Sequence, residues 1–166
     1  MTTVAAFAES PRERFLQAAE AVLQDLGGRR FWGGSYPNTP RVEREFKQPF
    51  QVNEFPHLIL LQDAGSRIGG LATHDQDGAD FHDEFHLAIY GYVQGDDVVT
   101  ASTWLERLNR DVKLALWSAM APLEPLRGLA LRLRFDEDED AQFEGAFGSF
   151  VLPITAELSD ALRRAA

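Results

Sequence analysis

A chain of 166 residues, 45% hydrophobic and 25% charged, suits one soluble globular domain that buries a sizeable core unaided, and leaves little room for a second. Cysteine is absent, which excludes disulfides, thiolate nucleophiles and cysteine-ligated zinc and suits a reducing compartment. A formal net charge of -10 argues against a duplex-binding protein, whose affinity rests on a basic face. Met1–Ala8 carries neither a basic start nor a long apolar core, so no signal peptide and no membrane span are expected.

In chain order, Ser10-Pro11-Arg12-Glu13 is a capping box with proline at the first helical position. Phe15, Ala18, Ala19, Val22, Leu23 and Leu26 follow at helical spacing, and Gly27-Gly28 can stop a helix expected over 11–26. Residues 29–40, rich in glycine, proline and aromatics, read as an ordered loop. The alternation from Arg41 to Gln48 predicts an exposed strand ended by Pro49, with Val42 and Phe46 on one face. A short buried strand is expected over 56–61 (PHLILL), and the Gly/Asp-rich stretch 63–80 reads as a long loop or, in part, a hairpin.

The clearest strand follows, with Phe85, Leu87, Ile89 and Val93 on one face and His82, Glu84, His86, Tyr90 and Tyr92 on the other. Gly95-Asp96-Asp97 is a turn that offers Asp97 as N-cap to a helix over about 98–120. Trp104, Leu105, Leu108, Val112, Ala115 and Leu116 belong to that helix's apolar stripe, which reads as core rather than partner surface; Pro122 and Pro125 end it. Leu129, Leu131, Leu133 and Phe135 alternate with polar residues as a strand, and the acidic run 136–140 makes a turn. A final strand over 143–156 is expected to carry a bulge at Gly145 and Gly148. Residues 1–9 and 159–166 are expected as loose ends, the latter with a short helix. The order α-β-β-β-α-β-β predicts an α+β single domain over 1–166, with two amphipathic helices on one face of a mainly antiparallel sheet.

Few constellations carry chemistry. His82 and His86 would converge on a helix, but the alternation around them argues for a strand, where four residues span roughly 13 Å. Zinc–nitrogen bonds of about 2 Å do not bridge that span, so Glu84 and its histidine neighbours read as a solvated face. The acidic run 136–140 lacks calcium-loop spacing. No serine sits in a GxSxG elbow and no GxxxxGK[ST] loop is present. Trp32 and Tyr36 read as loop aromatics that plug a core edge rather than a stacking platform. No enzyme, cofactor or metal is expected. The mixed-charge face Arg41, Glu43, Glu45, Lys47 and the adjacent cations Arg132 and Arg134 are the candidate subunit or partner interface.

The succession of elements is familiar. An amphipathic first helix precedes a strand beginning FPHLILLQD. The strand FHLAIYGYVQGDD leads into the helix TASTWLERLNRDVKLALWSAM, then LRLRFDEDEDAQF passes through an acidic turn to GAFGSFVLPITAEL. Over roughly residues 10–158 this resembles the tail terminator (minor tail, or tail completion) proteins of long-tailed phages and prophages. The most specific features are Tyr90-Gly91-Tyr92-Val93, followed by Gly95-Asp96-Asp97 and a helix carrying Leu108-Asn109-Arg110-Asp111-Val112, and the acidic turn before the last strand. The resemblance implies a virion protein, assembled in the host cytoplasm as a homo-oligomeric, hexameric ring on the head-proximal end of the tail tube. Such a ring stops tube polymerisation and docks to the head–tail connector. DNA passes through its lumen without specific binding, and an acidic lining would repel phosphate. The alternatives are another head–tail joint or tail-tube protein, or a small metal-dependent enzyme using His82, Glu84, His86 and acids of 136–140.

Overall fold

The computed structural model describes residues 10–27, 40–62, 67–74, 78–136 and 141–163. Helix α1 spans Pro11–Gln24; Ser10 caps it by accepting a hydrogen bond from the Glu13 amide at 3.2 Å, and Pro11 opens the first turn. Helix α2 spans Ala101–Ser118 and is capped by Thr100, not Asp97, because three further residues are needed to turn the chain after the preceding strand. Asp96 organises that turn by accepting from the Val98 and Val99 amides at 2.8 and 2.7 Å.

Seven strands form one sheet: β1 (Arg41–Glu43), β2 (His57–Gln62), β3 (Arg67–His74), β4 (Gly78–Gln94), β5 (Arg132–Phe135), β6 (Gln142–Glu144) and β7 (Phe147–Arg163). The path is β1-β2-β4-β7-β5, with β3 also on β4 and β6 also on β7. Among the described strands only β1 and β2 pair in parallel, so the chain is α+β with a mainly antiparallel sheet. The long strands β4 and β7 pair from Gly78↔Arg163 to Gln94↔Phe147. β2 and β3 lie end to end along one edge of that pair, β5 and β6 along the other.

Both helices cover one face. Phe15, Leu23, Leu105, Leu108, Val112 and Leu116 meet Leu58, Leu60, Phe85, Leu87, Ile89, Leu152 and Ile154 in a continuous core. Each such side chain contributes about 1.5–3 kcal/mol by leaving water. Phe15 meets Phe85 edge to face at 6.3 Å, and the Arg12 guanidinium lies 5.0 Å over the Phe85 ring while pairing with Asp83 at 2.6 Å. The sheet therefore runs on past the start of α1, as β3, Gly78–His82 and the end of β7. Phe150 crosses directly over Gly91, where a Cβ would stand 2.2 Å from its ring, so that position of β4 requires glycine.

Several expectations need correction. The stretch 63–80 is not one long loop but follows the hairpin alternative: β3 occupies 67–74 and pairs antiparallel with β4, which already starts at Gly78. Residues 159–163 are not a terminal helix but the end of β7, drawn into the sheet by pairing with 78–82. The first strand stops at Glu43 rather than Gln48, and β5 starts at Arg132 rather than Leu129. The glycines near 145 mark no bulge. Gly145, with φ +58, and Ala146 form a two-residue hairpin loop between β6 and β7, with glycine at the position where a positive φ is needed.

Candidate subunit interfaces

The Arg41–Lys47 segment leaves the edge of the sheet immediately after β1. Its charges do not form a plain solvent rim. The Glu43 side chain is largely buried and gathers Lys47 at 2.8 Å, Arg41 at 3.2 Å and His57 Nε2 at 3.1 Å. The Lys47 hydrogen bond leads in holding the Glu43 carboxyl below its ordinary pKa, against the opposing effect of burial; Arg41 and His57 add to it. His57 is buried, and its Nδ1 lacks a hydrogen-bond partner among the described residues. On this segment Arg41 and Glu45 are exposed, Arg41 while paired with Glu43, and Lys47 is half-buried.

Arg132 and Arg134 do share the face opposite the helices, as the alternation of β5 predicts. Arg132 is exposed and sits 3.8 Å from Glu157. Arg134 joins a network centred on the buried Thr155. The Thr155 hydroxyl donates to Asp136 Oδ2 at 2.7 Å and accepts from Arg134 Nη2 at 3.4 Å; Arg134 Nε also donates to Asp136 Oδ1 at 2.8 Å. A hydroxyl has one proton, so His86 Nδ1, 3.2 Å from Thr155 Oγ1, must be a donor there. Its Nε2 lies 3.0 Å from Glu84 Oε1. Burial pushes the Asp136 carboxyl up, but Thr155 and Arg134 outweigh it and hold the carboxyl below its ordinary value. The side chain of His82 lies outside the described residues. Among those described, no three His, Asp or Glu side chains are placed to hold one metal ion.

One exposed apolar surface escaped sequence reasoning. Where β4 ends, the segment 49–55 and the β6–β7 hairpin flank a groove of about 520 Å³ lined by Phe50, Phe55, Tyr92, Phe143 and Phe147. Phe50 is 85% exposed, and Phe143 and Phe147 are about half exposed. Phe55 and Phe147 stack at a tilt of 48° with centroids 5.5 Å apart, which fixes the groove floor. Tyr92 donates weakly to the Lys47 carbonyl at 3.5 Å, tying the 44–56 segment over the sheet, and burial raises its pKa. The missed signal is the Glu-Gly-Ala-Phe hairpin turn, which places Phe143 and Phe147 on either side of one tight reversal. Trp32 and Tyr36, the aromatics singled out above, lie outside the described residues.

No helix among the described residues is long and apolar enough to cross a membrane. No family model matches the chain, and no curated protein matches it either.

Proposed function

We propose that this chain is a non-catalytic virion protein that assembles as a ring on the head-proximal end of a phage tail tube, ends tube growth and presents the head-docking surface. The observation that carries the self-assembling part of this reading is the aromatic groove. Phe50, Phe143 and Phe147 stand in water at one end of the molecule, and contiguous apolar patches of this kind mark interaction sites. The phage-tail part rests on the resemblance of residues 10–158 set out above. The single helical layer among the described residues agrees with it. The 44–56 segment covers the other sheet face around Tyr90 and Tyr92, while the part bearing Arg132 and Arg134 holds exposed side chains that can meet neighbours. The net charge of -10 suits a lumen through which DNA slides without being held.

Negative-stain imaging of the purified protein across a concentration series tests the reading. Single-layer rings support it. Long stacks assign the chain to the tube itself, and a monomer at every concentration counts against a self-assembling ring. A second reading has one observation in its favour: about 520 Å³ falls within the range of small-ligand pockets. A ligand-binding domain predicts saturable uptake of an apolar dye by a monomer, with Phe55→Ala abolishing it.

A further inference from the structure

The groove has a counterpart at the far end of the same molecule. The Gly95 amide donates to the Ala146 carbonyl at 2.8 Å, so the chain entering α2 starts beside the groove-forming hairpin. The 18 residues of α2 then carry it about 27 Å away. At that end stand Trp117, 69% exposed, and Leu123, fully exposed. Half-exposed Leu131 follows, its amide bonded to the Glu157 carbonyl, ten residues along β7 from Phe147.

Leu123 is unusual twice over. Its φ is +71, the left-handed conformation that glycine adopts freely, and for a leucine that conformation costs on the order of 1–2 kcal/mol. Its side chain is fully exposed and gains no burial among the described residues in return. A glycine after Pro122 would hold the same turn without strain. A leucine there makes sense as a knob whose contact is supplied from outside. The charges at the two ends are mixed: exposed Arg127 and Arg132 flank this end beside exposed Glu124, and exposed Glu54 and Glu144 border the groove end. Arg132 and Glu54 lie 3.8 Å from Glu157 and Arg41 of the same chain, which leaves Arg127 and Glu144 as the complementary pair.

We propose that the Leu123 end of one copy seats in the Phe50–Phe143–Phe147 groove of the next, with Arg127 facing Glu144. Knob and groove lie at opposite ends, so no copy fills its own groove and the contact is head to tail. Such a contact generates closed rings where the rotation closes and open filaments where it does not. This inference rests on the ring reading and names the surfaces that join its subunits.

The absence of cysteine makes the test clean. Leu123→Cys and Phe143→Cys, both at exposed positions, are prepared separately, mixed and treated with a short bismaleimide. The expected result is a covalent dimer in the mixture and none from either variant alone. A lack of mixture-specific product overturns the contact, and so does equal cross-linking of either variant by itself, which would mean a two-fold interface. Leu123→Gly supplies a second readout: self-association at least tenfold weaker, with a melting temperature equal to or above that of the parent. A lowered melting temperature with association intact overturns the knob. Rings in the absence of the cross-link refute this contact and leave the ring reading standing. The cross-link found in unlimited chains keeps the contact and refutes the ring.

Discussion

Thr155→Val tests the polar network on the open face with almost no change of shape. Valine keeps the β-branch, so packing and strand preference are retained while the hydroxyl that bridges β4, β5 and β7 is removed. The hydroxyl donates to the Asp136 carboxylate at 2.7 Å and accepts from Arg134 at 3.4 Å. A hydrogen bond to a charged group contributes about 1.5–3 kcal/mol. Asp136 keeps Arg134 at 2.8 Å and its side chain is 28% exposed, so water takes up part of the loss. The expected cost is therefore at the low end, about 1.5–2 kcal/mol. For a domain of this size that lowers the melting temperature by about 3–8 °C. Urea denaturation should show the midpoint falling at constant slope. Thr155→Ser keeps the hydroxyl and should cost less than about 1 kcal/mol. The pH dependence has a definite sign. The folded state depresses the Asp136 pKa, so its contribution is present above the ordinary carboxylate pKa of about 3.9 and is lost as pH falls through the folded value. The gap between Thr155→Val and the parent should close on acidification. A valine variant as stable as the parent, or a serine variant that is worse than valine, refutes the bridging role.

Gly91→Ala sets a Cβ 2.2 Å from the buried Phe150 ring, so a loss of about 2–3 kcal/mol is expected, partly recovered by adding Phe150→Leu; urea titration of the single and double variants checks this. Leu108→Ala opens a cavity at a fully buried position under α2 and should cost about 2–5 kcal/mol by the same assay. Thr100→Ala removes the cap from the Thr103 amide, and thermal melts should report about 1 kcal/mol.

Both helices were legible because their apolar residues recur at helical spacing, and Ser10 also marked the start of α1, whereas the cap expected at Asp97 proved to be Thr100. β4 was legible because Phe85, Leu87, Ile89 and Val93 keep one phase. The hydroxyl network was half legible: the alternation of β5 put Arg132 and Arg134 on one face, but nothing local reveals that Thr155 and Asp136 meet there. β3 was hidden because its Gly69-Gly70 pair breaks any alternation; its strand conformation comes from pairing with β4, a tertiary effect. Ser159–Arg163 misled for the opposite reason. Alanine, leucine and arginine favour a helix, and registration against β4 overrides that preference. Arg41–Lys47 alternates like a strand, yet Glu43 turns inward to His57 and pairing with β2 ends there. The aromatic groove depends on a loop and a hairpin far apart in sequence, and no periodicity signals it.

Native mass spectrometry tests the ring most directly, because it counts subunits. One closed species is expected at about six copies of the 18.6 kDa chain, close to 112 kDa, with no larger species as concentration rises, as closed cyclic symmetry requires. A continuous ladder of sizes, or a monomer throughout, would contradict the account.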